Sequence, residues 1–129
     1  MKPLRESLLD DDLIGKTDNM IKDEIKAFLK ANYKGSIKIS RKPNADGKYE
    51  VSSSTNIEVK NKKIISLTNG MFIWETVGGY FRVASCNSLK SLKGAPKEVG
   101  GDFSCYGCAS KFTIKDVKKI SNVKNNILC

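Results

Sequence analysis

Apolar positions along this chain follow two rhythms, and the change between them falls near residue 36. Over residues 18–33, Ile21, Ile25, Phe28, Leu29 and Tyr33 lie on one stripe at the spacing of an amphipathic helix. Thr17 or Asp18 stands where such a helix takes its N-terminal cap, and Gly35 sits just past its end. From there the period is two. Residues 36–40 and 48–53 alternate apolar with polar, placing Ile37, Ile39, Tyr49 and Val51 on inward positions. The intervening Pro43-Asn44-Ala45-Asp46-Gly47 is turn chemistry, so the two runs predict a β-hairpin.

The second half repeats itself. Val77-Gly78-Gly79-Tyr80-Phe81 returns 22 residues later as Val99-Gly100-Gly101-Asp102-Phe103, and Cys86 returns as Cys108. Val123, Ile127 and Cys129 repeat the spacing of Val99, Phe103 and Cys105, while Asn61, Ile64 and Leu67 repeat that of Cys86, Leu89 and Leu92. Ile57 and Val59 precede the first copy as a short strand, which makes about four strand-bearing rungs. Phe81 and Val83 are two apart and share one strand face, as do Phe103/Cys105 and Ile127/Cys129. Stacked in parallel, such pairs form columns of like residues. The Asn61/Cys86/Cys108 column falls where leucine-rich repeats place Asn or Cys, at the turn away from the strand. Leu89, Leu92, Ala95 and Val99 fill a return leg in which Pro96 blocks a long helix, so an irregular leg or a short 3₁₀ turn is expected. The glycine pairs permit a tight turn into the next strand.

Near the C-terminus, Thr113-Ile114-Lys115-Asp116 resembles a capping box, opening a short helix that turns Val117 and Ile120 to the core. Trp74, in the most apolar stretch, is expected to pack in the core of a longer return leg. The fold class is therefore α+β. Residues 1–16 are a leader or flexible tail. Residues 17–129 form one domain, in which a helix and β-hairpin (17–53) cap a short leucine-rich-repeat-like parallel β-solenoid (54–129).

Composition narrows the function more than the fold. Lysine and arginine outnumber acids 23 to 14, for a net charge of +9, which favours acidic partners. The chain has no histidine and so lacks the commonest general base and metal ligand. No nucleophile–base pair, phosphate loop or metal triad can be assembled, and no enzyme or cofactor is expected. No apolar run reaches the ~18 residues of a membrane helix, and the first residues lack the apolar centre of a secretion signal. A cytoplasmic protein is expected.

The string Ser88-Leu89-Lys90-Ser91-Leu92-Lys93-Gly94-Ala95-Pro96-Lys97-Glu98-Val99-Gly100-Gly101-Asp102-Phe103 is similar to a Ser-Leu-x-Gly-Ala-Pro-x-x-Val-Gly-Gly-x-Phe repeat. That repeat occurs in small leucine-rich-repeat-like proteins of gut Bacteroidales bacteriophages, including the crAss-like group. Lys2-Pro3-Leu4-x-Glu6-Ser7-Leu8 also resembles a leader shared by otherwise unrelated proteins of those phages. The resemblance implies a phage accessory protein and leaves its activity open, because the family is largely uncharacterised.

Two sets of residues are candidates for binding a partner. Glu58, Arg82, Asp102 and Ser104 are expected to point outward from the stacked strands, where a protein partner would meet them. Lys22, Lys26, Lys30 and Lys34 recur every four residues on the first helix. They read first as a solvated face and, in the alternative function, as a track for the phosphates of a nucleic acid. The principal expectation is a non-enzymatic protein-binding module, a monomer or end-to-end dimer through an open edge at residues 127–129. The four cysteines could make a zinc site, but the repeat explains each separately: Cys86 and Cys108 as turn residues, Cys105 and Cys129 as buried strand residues. In a cytoplasm, a structural disulfide is not expected.

Overall fold

The computed structural model describes residues 18–129, with side chains from Met20 onward. The leader over 1–16 and the helix cap expected at Thr17 or the Asp18 side chain lie outside the described residues. Helix α1 (Asp18–Asn32) is followed by β1 (Tyr33–Lys34), β2 (Lys38–Ile39), β3 (Tyr49–Ser53), β4 (Ile57–Val59), β5 (Phe72–Val77), β6 (Phe81–Arg82), β7 (Glu98–Val99) and β8 (Phe103–Ser104). Helix α2 (Ile114–Ile120), β9 (Asn122–Val123) and β10 (Ile127–Leu128) complete the order. The chain coils into a β-solenoid with two five-stranded sheets, ordered β1-β4-β6-β8-β10 and β2-β3-β5-β7-β9.

Each coil contributes a strand to both sheets, joined by a three-residue corner. The parallel registers stack Ile57, Phe81, Phe103 and Ile127 in one column of the first sheet. Ser53, Val77, Val99 and Val123 stack in the second. The predicted phenylalanine column is thus present, its two rings 5.4 Å apart. The sequence pattern expects one strand per coil, whereas the structure has two. The return leg that Pro96 keeps out of a helix runs irregularly through buried Leu89, Leu92 and Ala95 and then ends in β7, where Val99 packs. Trp74 is fully buried as expected, but on β5. A two-residue strand shows no alternation, so its period cannot be recognised before its neighbours are known.

The corners explain the glycine pairs. A Cβ on Gly78 would lie 2.7 Å from the Ser54 carbonyl oxygen, and one on Gly100 would run into the carbonyl of Gly78. Glycine is needed here for close stacking of backbone on backbone. At two of the corners an Asx side chain ties one coil to the next. Asn56 Oδ1 accepts the Tyr80 N–H at 2.9 Å, and Asp102 Oδ1 accepts that of Asn126 at 3.0 Å.

At the N-terminal side the chain reverses direction. Strand β1 pairs antiparallel with β4 and β2 antiparallel with β3, forming the predicted hairpin. Helix α1 lays Ile25 and Leu29 against this end, and Tyr33 carries the contact into an aromatic cluster. Its ring lies 5.3 Å from that of Trp74, which lies 5.9 Å from Phe81. The Tyr33 hydroxyl donates to the Leu67 carbonyl at 2.6 Å, and burial holds its pKa far above the ordinary tyrosine value. Helix α2 has the predicted capping box between Thr113 and Asp116, and these hydrogen bonds hold the Asp116 carboxyl below the ordinary carboxylate range. Val117 is buried, but Ile120, expected in the core, is 38% exposed because the helix ends there and the chain turns into β9.

Candidate functional site

A groove of about 550 Å³ runs between helix α1 and the reversed rung formed by β1 and β2. One wall is helical and carries Lys22, Lys26 and Lys30; Lys60 comes from the segment after β4. Leu29, Tyr33, Ile37 and Ile39 contribute apolar lining, and among the described residues no acidic side chain takes part. The arrangement follows from the pattern of α1. The stripe of Ile25 and Leu29 turns to the core, which sets the lysine row on the flank beside β2, with successive lysines about 6 Å apart along the axis. Lys22 also ties the helix to the hairpin, reaching the Arg41 carbonyl at 3.4 Å and lying 5.7 Å from the centre of the Tyr49 ring. Lys60 is brought in by backbone pairing, its N–H donating to the Asn32 carbonyl at 2.8 Å.

Three of the four helix lysines identified from sequence therefore meet at one place. Lys34 does not line it; it lies on β1, in register with Glu58. Lys60 was missed, because only the antiparallel pairing of β1 with β4 brings residue 60 to the helix end.

The expected outward face of the solenoid is only partly available. Glu58 and Arg82 do occupy neighbouring outer positions of the first sheet, with Oε1 and Nη1 3.9 Å apart, and the Arg82 guanidinium lies 4.7 Å from the centre of the Tyr80 ring. Ser104 follows them in the same column but is buried, and is corrected accordingly: its short side chain sits between Arg82 and Leu128 in the ladder. Asp102, expected on the strand face, is not on a strand. It lies on the corner before β8, and its carboxylate caps the Asn126 N–H.

The cysteines divide by column. Cys86 and Cys108 are free and buried, and their thiols donate to the carbonyls of Ala84 at 3.5 Å and Val83 at 3.2 Å, as the turn reading expects. Burial and the neighbouring Cys108 push the Cys86 thiol pKa up. Cys105 and Cys129 are joined in a disulfide, contrary to expectation. Parallel stacking one rung apart places their Cα atoms 4.7 Å apart, within disulfide range, so a column of like residues is also a bonding geometry. Among the described residues no group of three or more metal-ligating side chains converges, and no helix is long and apolar enough to cross a membrane.

The fold defines a class, an α+β β-solenoid covered at one end by a helix and a hairpin. Comparison with protein-family models, curated proteins and solved structures found no match to the chain.

Proposed function

We propose that this chain is a non-enzymatic module that binds an acidic segment of another protein in the groove between α1 and β2. The observation that carries the reading is the lining itself: four lysines around an apolar floor with, among the described residues, no acidic side chain. A partner with carboxylates beside apolar residues satisfies both features. A nucleic acid satisfies only the first. The aromatic residue in the groove, Tyr33, is 3% exposed and committed to Leu67, which leaves no ring for a base to stack on. The non-enzymatic reading is supported by four carboxylates already committed to structure: Glu58 meets Arg82, Glu75 meets Lys97, and Asp102 and Asp116 cap backbone N–H groups. The repeat string over 88–103 supports a leucine-rich-repeat-like phage accessory protein, whose partner would be a host or phage protein in the host cytoplasm or the virion.

Fluorescence anisotropy tests the reading with two labelled probes, a glutamate-rich amphipathic peptide and a single-stranded oligonucleotide. The peptide is expected to bind more tightly, and the variant Lys26→Glu/Lys30→Glu to lose about tenfold in peptide affinity. Tighter binding of the oligonucleotide, or peptide binding untouched by the charge reversal, overturns it.

A further inference from the structure

The groove has a second property that its lysines do not explain. Among the described residues, strand β2 is the last strand of its sheet, paired on one side only. Lys38 is in register with Ser52, and the Ser40 N–H donates to the Glu50 carbonyl at 2.8 Å, so the backbone groups of residues 38 and 40 face β3. Backbone groups alternate sides along a strand, so Ile39, between them, turns its N–H and C=O the other way. Among the described residues Ile39 makes no backbone hydrogen bond outside the β2–β3 pairing. Ile37 and Ile39, two apart, line the groove together.

We infer that the groove takes its partner as an added β-strand: an extended protein segment, alternating acidic and apolar residues, that pairs with the free edge of β2 at Ile39 while its carboxylates meet Lys22, Lys26 and Lys30. This rests on the binding reading above and specifies the conformation of the bound segment. Side chains on one face of a strand recur about every 6.8 Å, and lysines four apart on a helix about every 6 Å. Over three positions the mismatch is about 1.5 Å, well within the travel of a lysine stem. The backbone edge supplies direction and register, and the lysines select acidic over basic side chains on the face of the added strand that is turned to α1. A nucleic acid strand has phosphates at comparable spacing but no peptide group to pair with Ile39.

The probe is a short synthetic peptide alternating glutamate with valine; its lysine-for-glutamate counterpart and a single-stranded oligonucleotide are the controls. Binding is read by anisotropy and by amide hydrogen exchange of the full chain. The expected result is binding of the acidic peptide alone, with slowed exchange at the Ile39 amide. Ile39→Pro removes the outward N–H and leaves the bonds of Lys38 and Ser40 to β3 in place, so it is expected to weaken peptide binding about tenfold. If Lys26→Glu/Lys30→Glu abolishes binding while Ile39→Pro binds normally and the Ile39 amide of the wild type stays unprotected, strand addition is overturned and the groove reading stands. If neither variant changes binding, or the oligonucleotide alone binds, both fall. Because the exchange measurement uses the wild type, a misfolded proline variant still leaves the inference decided.

Discussion

The coils and the helix-and-hairpin end of this molecule are built on opposite principles. In the coils inward positions stack on one another, several on a like residue one rung away: Phe81 on Phe103, Val77 on Val99, Gly78 on Gly100. A side chain there is constrained above and below, and backbone corners stack so closely that a single methyl has no room. At the N-terminal side, α1 is held along one stripe only, and its flank of lysines is answered by nothing like itself. The coils spend their sequence on being stacked. The end unit has a face to spare, and the groove is on that face. Substitutions in the coils should therefore change folding, and substitutions in the groove should change binding.

Phe81→Ala is the most severe test of the first half of that contrast. The ring is fully buried and touches Tyr33, Trp74 and Phe103, so it links the aromatic cluster of the end unit to the column of the coils. Truncation is expected to cost about 3–5 kcal/mol, measured by denaturant unfolding. A loss below about 1 kcal/mol would mean that the column is not the core. Next comes the Cys105–Cys129 disulfide, whose sequence separation is 24. Closing a loop of that length stabilises by about 3 kcal/mol, so Cys129→Ser, or reduction, should lower the unfolding midpoint correspondingly. Exchange should quicken first at β8 and β10, with the groove untouched. A uniform increase that includes α1 would show the two regions to be one cooperative unit.

What was legible in the sequence follows the same division. The columns of Phe81 and Phe103, the turn thiols Cys86 and Cys108, the α1 stripe and the hairpin all appear where periodicity placed them, since each depends on spacing along the chain. The second sheet was hidden, because β7 and β9 are two residues long and are strands only by virtue of what they stack on. Ser104 looked outward by alternation, but exposure depends on the size of its neighbours, and Arg82 and Leu128 flank it in the ladder. The lysine row was legible as a row. Its meaning as one wall of a groove required the reversed pairing of β1 and β2, which no local pattern encodes. The compartment expected for the protein argues against the disulfide, yet the repeat spacing puts Cys105 and Cys129 in neighbouring rungs, and geometry decides.

Gly100→Ala sharpens the argument about corners. Its added methyl would meet the Gly78 carbonyl, which is backbone and cannot swing aside, so a cost of about 1–3 kcal/mol is expected. Gly47, in the hairpin turn, has open space around it but a φ of +79°. Gly47→Ala should therefore cost only about 1 kcal/mol, through backbone strain alone. Equal losses at the two sites in thermal unfolding would remove the distinction between glycine used for close approach and glycine used for conformation.

The smallest effect on stability is the most informative about the groove. Lys22, Lys26 and Lys30 are spaced four apart on α1, where like charges repel by a few tenths of a kcal/mol per pair. Lys26→Glu replaces both repulsions with attractions and turns one attraction, to Asp23 three residues before it, into a repulsion, so the folded state should still gain about 0.3 kcal/mol while the acidic peptide binds less tightly. A helix that served only to cover the coils would gain from breaking this row. A row that costs the fold a little and serves binding gives opposite signs for one substitution in two measurements, a rise in thermal midpoint and a fall in peptide affinity. If both rise, or both fall, the lysines are part of the scaffold and the contrast between the two regions fails at the place where it matters most.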